Sequence, residues 1–203
     1  MRHCIEEYVP RTATVTRETL ETRIELTLTL EGEGRLSGET GIGFFDHMLG
    51  SFVKHGGFDL DLACTGDLHI DDHHTVEDVG ICLGQAVARA IGDGSGITRF
   101  GHAYAPLDEA LARAVFDVSG RAHLEFDADF SRSSVGDFST EMVREFFGAL
   151  VHHGRVTLHV ALLSGVNAHH QVEAVFKAAA RALRQAVAMD ERVSGVPSTK
   201  GSL

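Results

Sequence analysis

The chain of 203 residues carries 18 basic against 29 acidic side chains, a net charge of −11, with 43% hydrophobic residues and no tryptophan. That length and apolar content suit one ordinary domain or two small ones with a real core, and an acidic chain without a Lys/Arg cluster argues against nucleic acid as a partner. No apolar run reaches the roughly 18 to 20 residues that span a bilayer, and the opening MRHCIEEYVPRTATV lacks the apolar stretch of a signal peptide, so a cytoplasmic protein with no membrane partner is expected.

In chain order, residues 12–16 and 24–30 read as strands, the second with Ile24, Leu26, Leu28 and Leu30 in alternation. FFDHMLGSFVKHGG, from Phe44, has a helical pattern ending in His-Gly. Phe58, Leu60, Leu62 and Cys64 alternate as a further strand, and HHTVEDVGICLGQAVARAI, from His73, reads as an alanine-rich helix. The glycine-rich GDGSGIT at 92–98 is a junction. Beyond it, residues 114–118 and 123–126 are extended, MVREFFGALVHHG from Met142 is helical, and Val156, Leu158, Val160 and Leu162 alternate. The helix HHQVEAVFKAAARALRQAV starts at His169, and the residues after Gly195 read as a surface extension.

This order repeats. The two His-His-x-Val-Glu helices match, as do the strands before them and the His-Gly helices before those. The expected fold is α/β, of the two-layer α+β kind, built by internal duplication of a strand-strand-helix-strand-helix half-domain. Each half, 1–93 and 94–203, would be a small mixed sheet covered by two helices. Since either half alone has a thin core, the two should pack about a pseudo-twofold axis as one compact domain. Cys4, Cys64 and Cys82 are odd in number, lack metal-type spacing, and read as buried free thiols.

The chemistry-bearing feature is histidine, present 13 times. Residues four apart on a helix lie about 6 Å apart on one face, so His73 with Glu77, and His169 with Glu173, can each clamp a metal ion. His74 and His170 are turned about 100° away. The simplest use of them is reciprocal, each motif offering its second histidine to the other copy's metal, which predicts two symmetry-related ions. A fourth ligand can come from the upstream helix, where His47 aligns with Glu145, and open coordination positions would then favour catalysis over a purely structural role. Imidazole and carboxylate without thiolate suit Mn, Fe, Zn or Co. Asp71 and Asp72 could orient the ligands or cap the helix. His69, His123, His152, His153 and His159 read as ordinary surface or strand histidines, and His3 and His102 are unassigned.

GIGFFDHMLGSFVKHGG, DDHHTVEDVGICLGQA, PLDEALARAVFDVSGR, HHQVEAVFKAAARALRQA and VPSTKG each resemble a block of the imidazoleglycerol-phosphate dehydratase family, over residues 11–201. The resemblance implies a metal-dependent carbon-oxygen lyase of histidine biosynthesis, a hydro-lyase that converts D-erythro-imidazole-glycerol phosphate to imidazole-acetol phosphate through an imidazolate and a diazafulvene-like intermediate. It implies two Mn(II) ions per active site and a homo-oligomer of 24 subunits with active sites between chains. On that carry-over the metal ligands are His47, His73, His74, Glu77, Glu145, His169, His170 and Glu173, although many members have His where this chain has Glu145.

Arg17, Thr19, Glu21 and Thr22 match the family's Arg-x-Thr-x-Glu-Thr block, which nominates Glu21 as the catalytic acid/base; on its own it would read as a solvent-facing glutamate. The resemblance nominates Arg99, Arg121, Ser198, Thr199 and Lys200 for the substrate phosphate, the last three in a tail that closes over the substrate and that composition alone would leave disordered. His55, with Gln85, would line the same pocket. Two other classes fit the duplicated motif: a non-catalytic assembly cemented by bridging ions, and a dinuclear metallohydrolase.

Overall fold

A computed structural model describes residues 9–203, so His3 and Cys4 lie outside the described residues. The first half runs β1 (Thr12–Glu18), β2 (Thr22–Thr29), β3 (Arg35–Ser37), α1 (Gly43–Gly56), β4 (Asp59–Gly66) and α2 (His73–Ile91). The second runs β5 (Phe100–Leu107), β6 (Ala110–Asp117), β7 (His123–Asp127), the short pair β8 (Ser134–Val135) and β9 (Phe138–Ser139), α3 (Met142–Gly154), β10 (Thr157–Ser164) and α4 (Ala168–Val187). The sheets have equivalent orders, β1-β2-β4-β3 and β5-β6-β10-β7, each antiparallel except for a final parallel pair.

Each four-stranded sheet therefore holds one strand more than the hydrophobic pattern suggests, and the second half adds the short β8–β9 pair. β3 is three residues long, too short to display a period. β5 hides because its inward residues are Gly101, Ala103 and Ala105, and Pro106 sits near its end. Small residues are required there, since a Cβ on Gly101 would lie 1.9 Å from the Ala182 carbonyl oxygen of α4. Elsewhere the alternation is plain: Thr22, Ile24, Leu26 and Leu28 of β2 are buried while the residues between them face outward.

In the first half α2 lies on β1 and β2, and α1 beside β3; in the second, α4 lies on β5 and β6, and α3 beside β7. Each half is thus a sheet with helices on one face. The halves meet helix to helix, α2 against α3 and α1 against α4. Phe45, Phe138, Phe146 and Phe176 are fully buried at this seam, with Phe45 and Phe146 edge to face at 5.4 Å and Phe146 stacked on Phe176 at 5.3 Å. Cys82 is buried and Cys64 half-buried, and both thiols are free. Burial pushes them up, Cys64 to about 12 and Cys82 to about 11, which keeps them protonated.

The approach of α2 to α3 depends on Gly80 and Gly84. A Cβ on Gly80 would meet the Phe146 carbonyl oxygen at 2.7 Å, and one on Gly84 would meet the Leu150 carbonyl oxygen at 2.5 Å. Alanine normally stabilises a helix relative to glycine by up to about 1 kcal/mol. Here Gly84→Ala is expected to destabilise by about 1–3 kcal/mol through overpacking, read as a lowered Tm in thermal unfolding followed by circular dichroism. An unchanged or raised Tm would mean that the two helices can separate without cost.

Candidate metal centre and anion pocket

Both His-His motifs sit in the first turn of a helix that follows the central strand of its sheet. At α4, Asn167 accepts hydrogen bonds from the backbone N–H groups of His169 and His170 at 2.9 and 3.3 Å. At α2, Asp71 accepts from His73 N–H at 2.9 Å, while Asp72 is buried and receives the backbone and hydroxyl groups of Ser139. Asp71 and Asp72 are thus committed to starting α2 and tying it to β9, and not to orienting the histidine rings.

Three donors converge. His47 Nε2 lies 3.4 Å and His169 Nε2 3.1 Å from Glu173 Oε2, and the three donor atoms lie within 4.8 Å of one another. The histidine from α1 thus meets the motif of the other half, because α1 packs on α4. Phe44 stands edge-on to His169 at 5.0 Å and limits its rotation. Burial alone would raise the Glu173 carboxyl, but Lys177 at 2.8 Å, with His47 and His169, holds it below its usual value.

The other motif is more open. His73 Nε2 and Glu77 Oε2 are 3.8 Å apart. Glu145 is exposed on α3, the helix packed against α2, and among the described residues it joins no group of three donors. Neither His74 nor His170 belongs to the His47 group, so the reciprocal exchange of second histidines does not occur within one chain.

Those second histidines are nevertheless held alike. His74 Nδ1 lies 3.0 Å from Asp67, and His170 Nδ1 lies 2.8 Å from Glu109. A carboxylate at Nδ1 keeps the proton there and leaves the Nε2 lone pair for a metal. The hydrogen bond to Asp67 raises His74, and that to Glu109 raises His170. Glu109 falls to about 2, through His170 and the backbone N–H groups of Asn167 and Val166. Glu21 is exposed, with Oε1 3.7 Å from the free Nε2 of His74. Sequence reading missed Asp67, Glu109 and Lys177; only Lys177 left a trace, as the next helical turn after His169 and Glu173.

Arg99, Arg121, Ser198, Thr199 and Lys200 line one cavity of about 390 Å³, joined by Arg155, which spacing did not reveal. Arg99 has a left-handed backbone (φ 71°) and pairs with Asp117 at 2.7 and 3.2 Å while donating to the Pro197 carbonyl at 2.8 Å. In this conformation it anchors the tail, and Arg121, Arg155 and Lys200 supply the positive charge. His55 lies elsewhere, on α1 toward α4; burial, then Lys177 and Arg181, lowers it. Gln85 is half-buried in α2 and does not line this cavity.

The imidazoleglycerol-phosphate dehydratase family model matches residues 40–183. A protein of that name from Chromohalobacter salexigens is 58% identical over 194 residues, covering 95% of this chain and 98% of the relative. One from Ralstonia pickettii is 59% identical, with 95% and 99% covered. The crystal structure of the dehydratase from Staphylococcus aureus matches with a TM-score of 0.80 at 40% identity, covering 88% of this chain and 99% of that one. That of the Pyrococcus furiosus protein, in complex with (S)-C348, matches with a TM-score of 0.81 at 36% identity, covering 93% and 100%.

If Asp67 fixes the His74 tautomer, Asp67→Ala is expected to weaken Mn(II) binding by about 10- to 100-fold in calorimetric titration. Unaltered affinity would leave Asp67 without a role behind the ring.

Proposed function

We propose, from the premise that this chain belongs to the imidazoleglycerol-phosphate dehydratase family, that it removes water from D-erythro-imidazole-glycerol phosphate to give imidazole-acetol phosphate in a metal-dependent reaction. It is a hydro-lyase of histidine biosynthesis. The observation that carries the metal-dependent reading is the convergence of His47, His169 and Glu173, an imidazole and carboxylate donor set suited to Mn(II).

In this reading two Mn(II) ions serve each active site, held by His47, His73, His74, Glu77, Glu145, His169, His170 and Glu173. When bound, such ions supply the positive charge that lowers the pKa of a coordinated N–H. Asp67 and Glu109 hold His74 and His170 with Nε2 presented outward. Glu21, exposed beside His74, takes the proton from the side-chain carbon next to the one that loses its hydroxyl. Arg121, Lys200, Ser198 and Thr199, with Arg155, receive the phosphate, and Arg99 holds the tail that brings three of them there. His55, apart from that cavity on α1, contacts the substrate in this reading from the side of α4.

The active site of this reading lies between chains of a homo-oligomer, which we take to have 24 subunits. Two observations support an assembly: His74 and His170 stand outside their own chain's three-donor group, and Phe100, Tyr104, Val115 and Leu163 are exposed along the second sheet. No helix among the described residues is long and apolar enough to cross a membrane. The same reading puts the enzyme in the cytoplasm.

The test is incubation of Mn(II)-loaded protein with imidazole glycerol phosphate, followed by mass spectrometry beside a chelator-treated control. Loss of one water only in the metal-loaded sample is expected; no conversion by a folded, metal-replete oligomer would favour a non-catalytic assembly. Glu21→Gln should keep metal content and assembly while kcat falls by about 10²- to 10⁴-fold. Full activity in that variant would remove Glu21 from the mechanism.

A further inference from the structure

The Arg-x-Thr-x-Glu-Thr block contains three polar residues besides Glu21, and the structure gives each a partner. Arg17 lies near the end of β1 and Thr22 opens β2, on either side of the turn that carries Glu21 at its tip. Thr19 N–H donates to the Thr22 carbonyl at 2.9 Å. The Thr19 hydroxyl oxygen in turn accepts from the backbone N–H groups of Glu21 and Thr22, at 3.1 and 3.0 Å. The backbone on both sides of Glu21 is thereby fixed, while its side chain stays exposed.

The base of this hairpin is joined to α2 by one buried carboxylate. Asp78 Oδ1 forms an ion pair with Arg17 Nε at 2.8 Å, and Asp78 Oδ2 accepts from the Thr22 hydroxyl. Asp78 is 5% exposed. A carboxylate at such depth is costly unless paired, and the Arg17 charge and the Thr22 hydroxyl offset that cost. Asp78 also lies four residues after His74, on the same face of α2. One helical turn therefore presents His74 Nε2 to Glu21 Oε1 at 3.7 Å and grips both arms of the strand pair that carries Glu21.

The duplicated half supplies an internal comparison. Thr29 pairs with Asp59 and with Thr12, and Asp117 pairs with Thr157 and with Phe100, which sets β1 and β2 in register with β5 and β6. On that register Glu21 corresponds to Glu109, and Arg17 and Thr22 to Ala105 and Ala110; on the aligned helices Asp78 corresponds to Ala174. All three alanines are buried. The fold at this place is satisfied by alanines, and there Glu109 is spent on His170 and two backbone N–H groups. The polar trio occurs only in the half whose turn glutamate faces the Nε2 of its histidine, at 3.7 Å, and not the Nδ1.

We propose that Asp78, through Arg17 and Thr22, is a positioning residue that holds the β1–β2 turn so that Glu21 meets His74. The proposal rests on the reading of Glu21 as the acid/base. The test makes the first half resemble the second, as the triple variant Arg17→Ala, Thr22→Ala, Asp78→Ala, with Glu21→Gln measured in parallel. The expected result is unchanged metal content and KM, a kcat lowered by about 10²-fold as for a misplaced reacting group, and faster hydrogen exchange of the 19–22 amides with α2 unaffected. Thr22→Val should lower kcat in the same sense and Thr22→Ser restore it, which keeps the test open if the triple variant does not fold. Wild-type kcat in Thr22→Val or the triple variant overturns the proposal, as does a fall in kcat accompanied by lost metal or by unaltered exchange in the turn. Full activity in Glu21→Gln instead overturns the acid/base reading.

Discussion

The candidate site depends on helices of one half packing against helices of the other. His47 is encoded in the first half and meets His169 and Glu173 in the second only because α1 lies along α4. The seam is held by two devices of different kind. Glycines at 80 and 84 let the α2 and α3 backbones close to a distance that any side chain would prevent, and a cluster of fully buried phenylalanines fills the remaining volume. Close approach without filling would leave cavities, and filling without close approach would leave the donors apart.

Around that seam the molecule handles charge locally. A chain with a net charge of −11 repels an anion at a distance, yet Arg121, Arg155 and Lys200 line one and the same cavity. Arg99, which lines the same cavity, is matched by Asp117 and turned toward the tail backbone. Near the histidines the same economy holds in reverse: three carboxylates have close partners, Asp67 with His74, Glu109 with His170, and Glu173 with Lys177.

Much of this was readable in the sequence, for physical reasons. The repeat and the His-His-x-x-Glu spacing survive as patterns because helix geometry fixes which residues share a face. Alternation in β2, β4, β6 and β10 survives because one side of each sheet is buried against helices. β5 is silent because its inner face is glycine and alanine, and hydrophobic periodicity needs large residues to be seen. Asp67 and Glu109 are silent because the rings they hold are 7 and 61 positions away. No spacing rule links Arg17 and Thr22 to Asp78. The correspondence of Glu145 with His47 is legible in the alignment of halves, but the tight three-donor geometry formed on only one side.

The small inner face of β5 also sets how unevenly the two halves can absorb mutation. Where α4 crosses Gly101, the helix backbone sits so near the strand that an added methyl group would overlap the Ala182 carbonyl. The matching position in the first half is Ala13, which carries that methyl and is packed without difficulty. At this one register position a methyl group is therefore accommodated in the first sheet and excluded from the second. The two copies of the duplication thus share a backbone path here but not the distance between strand and covering helix.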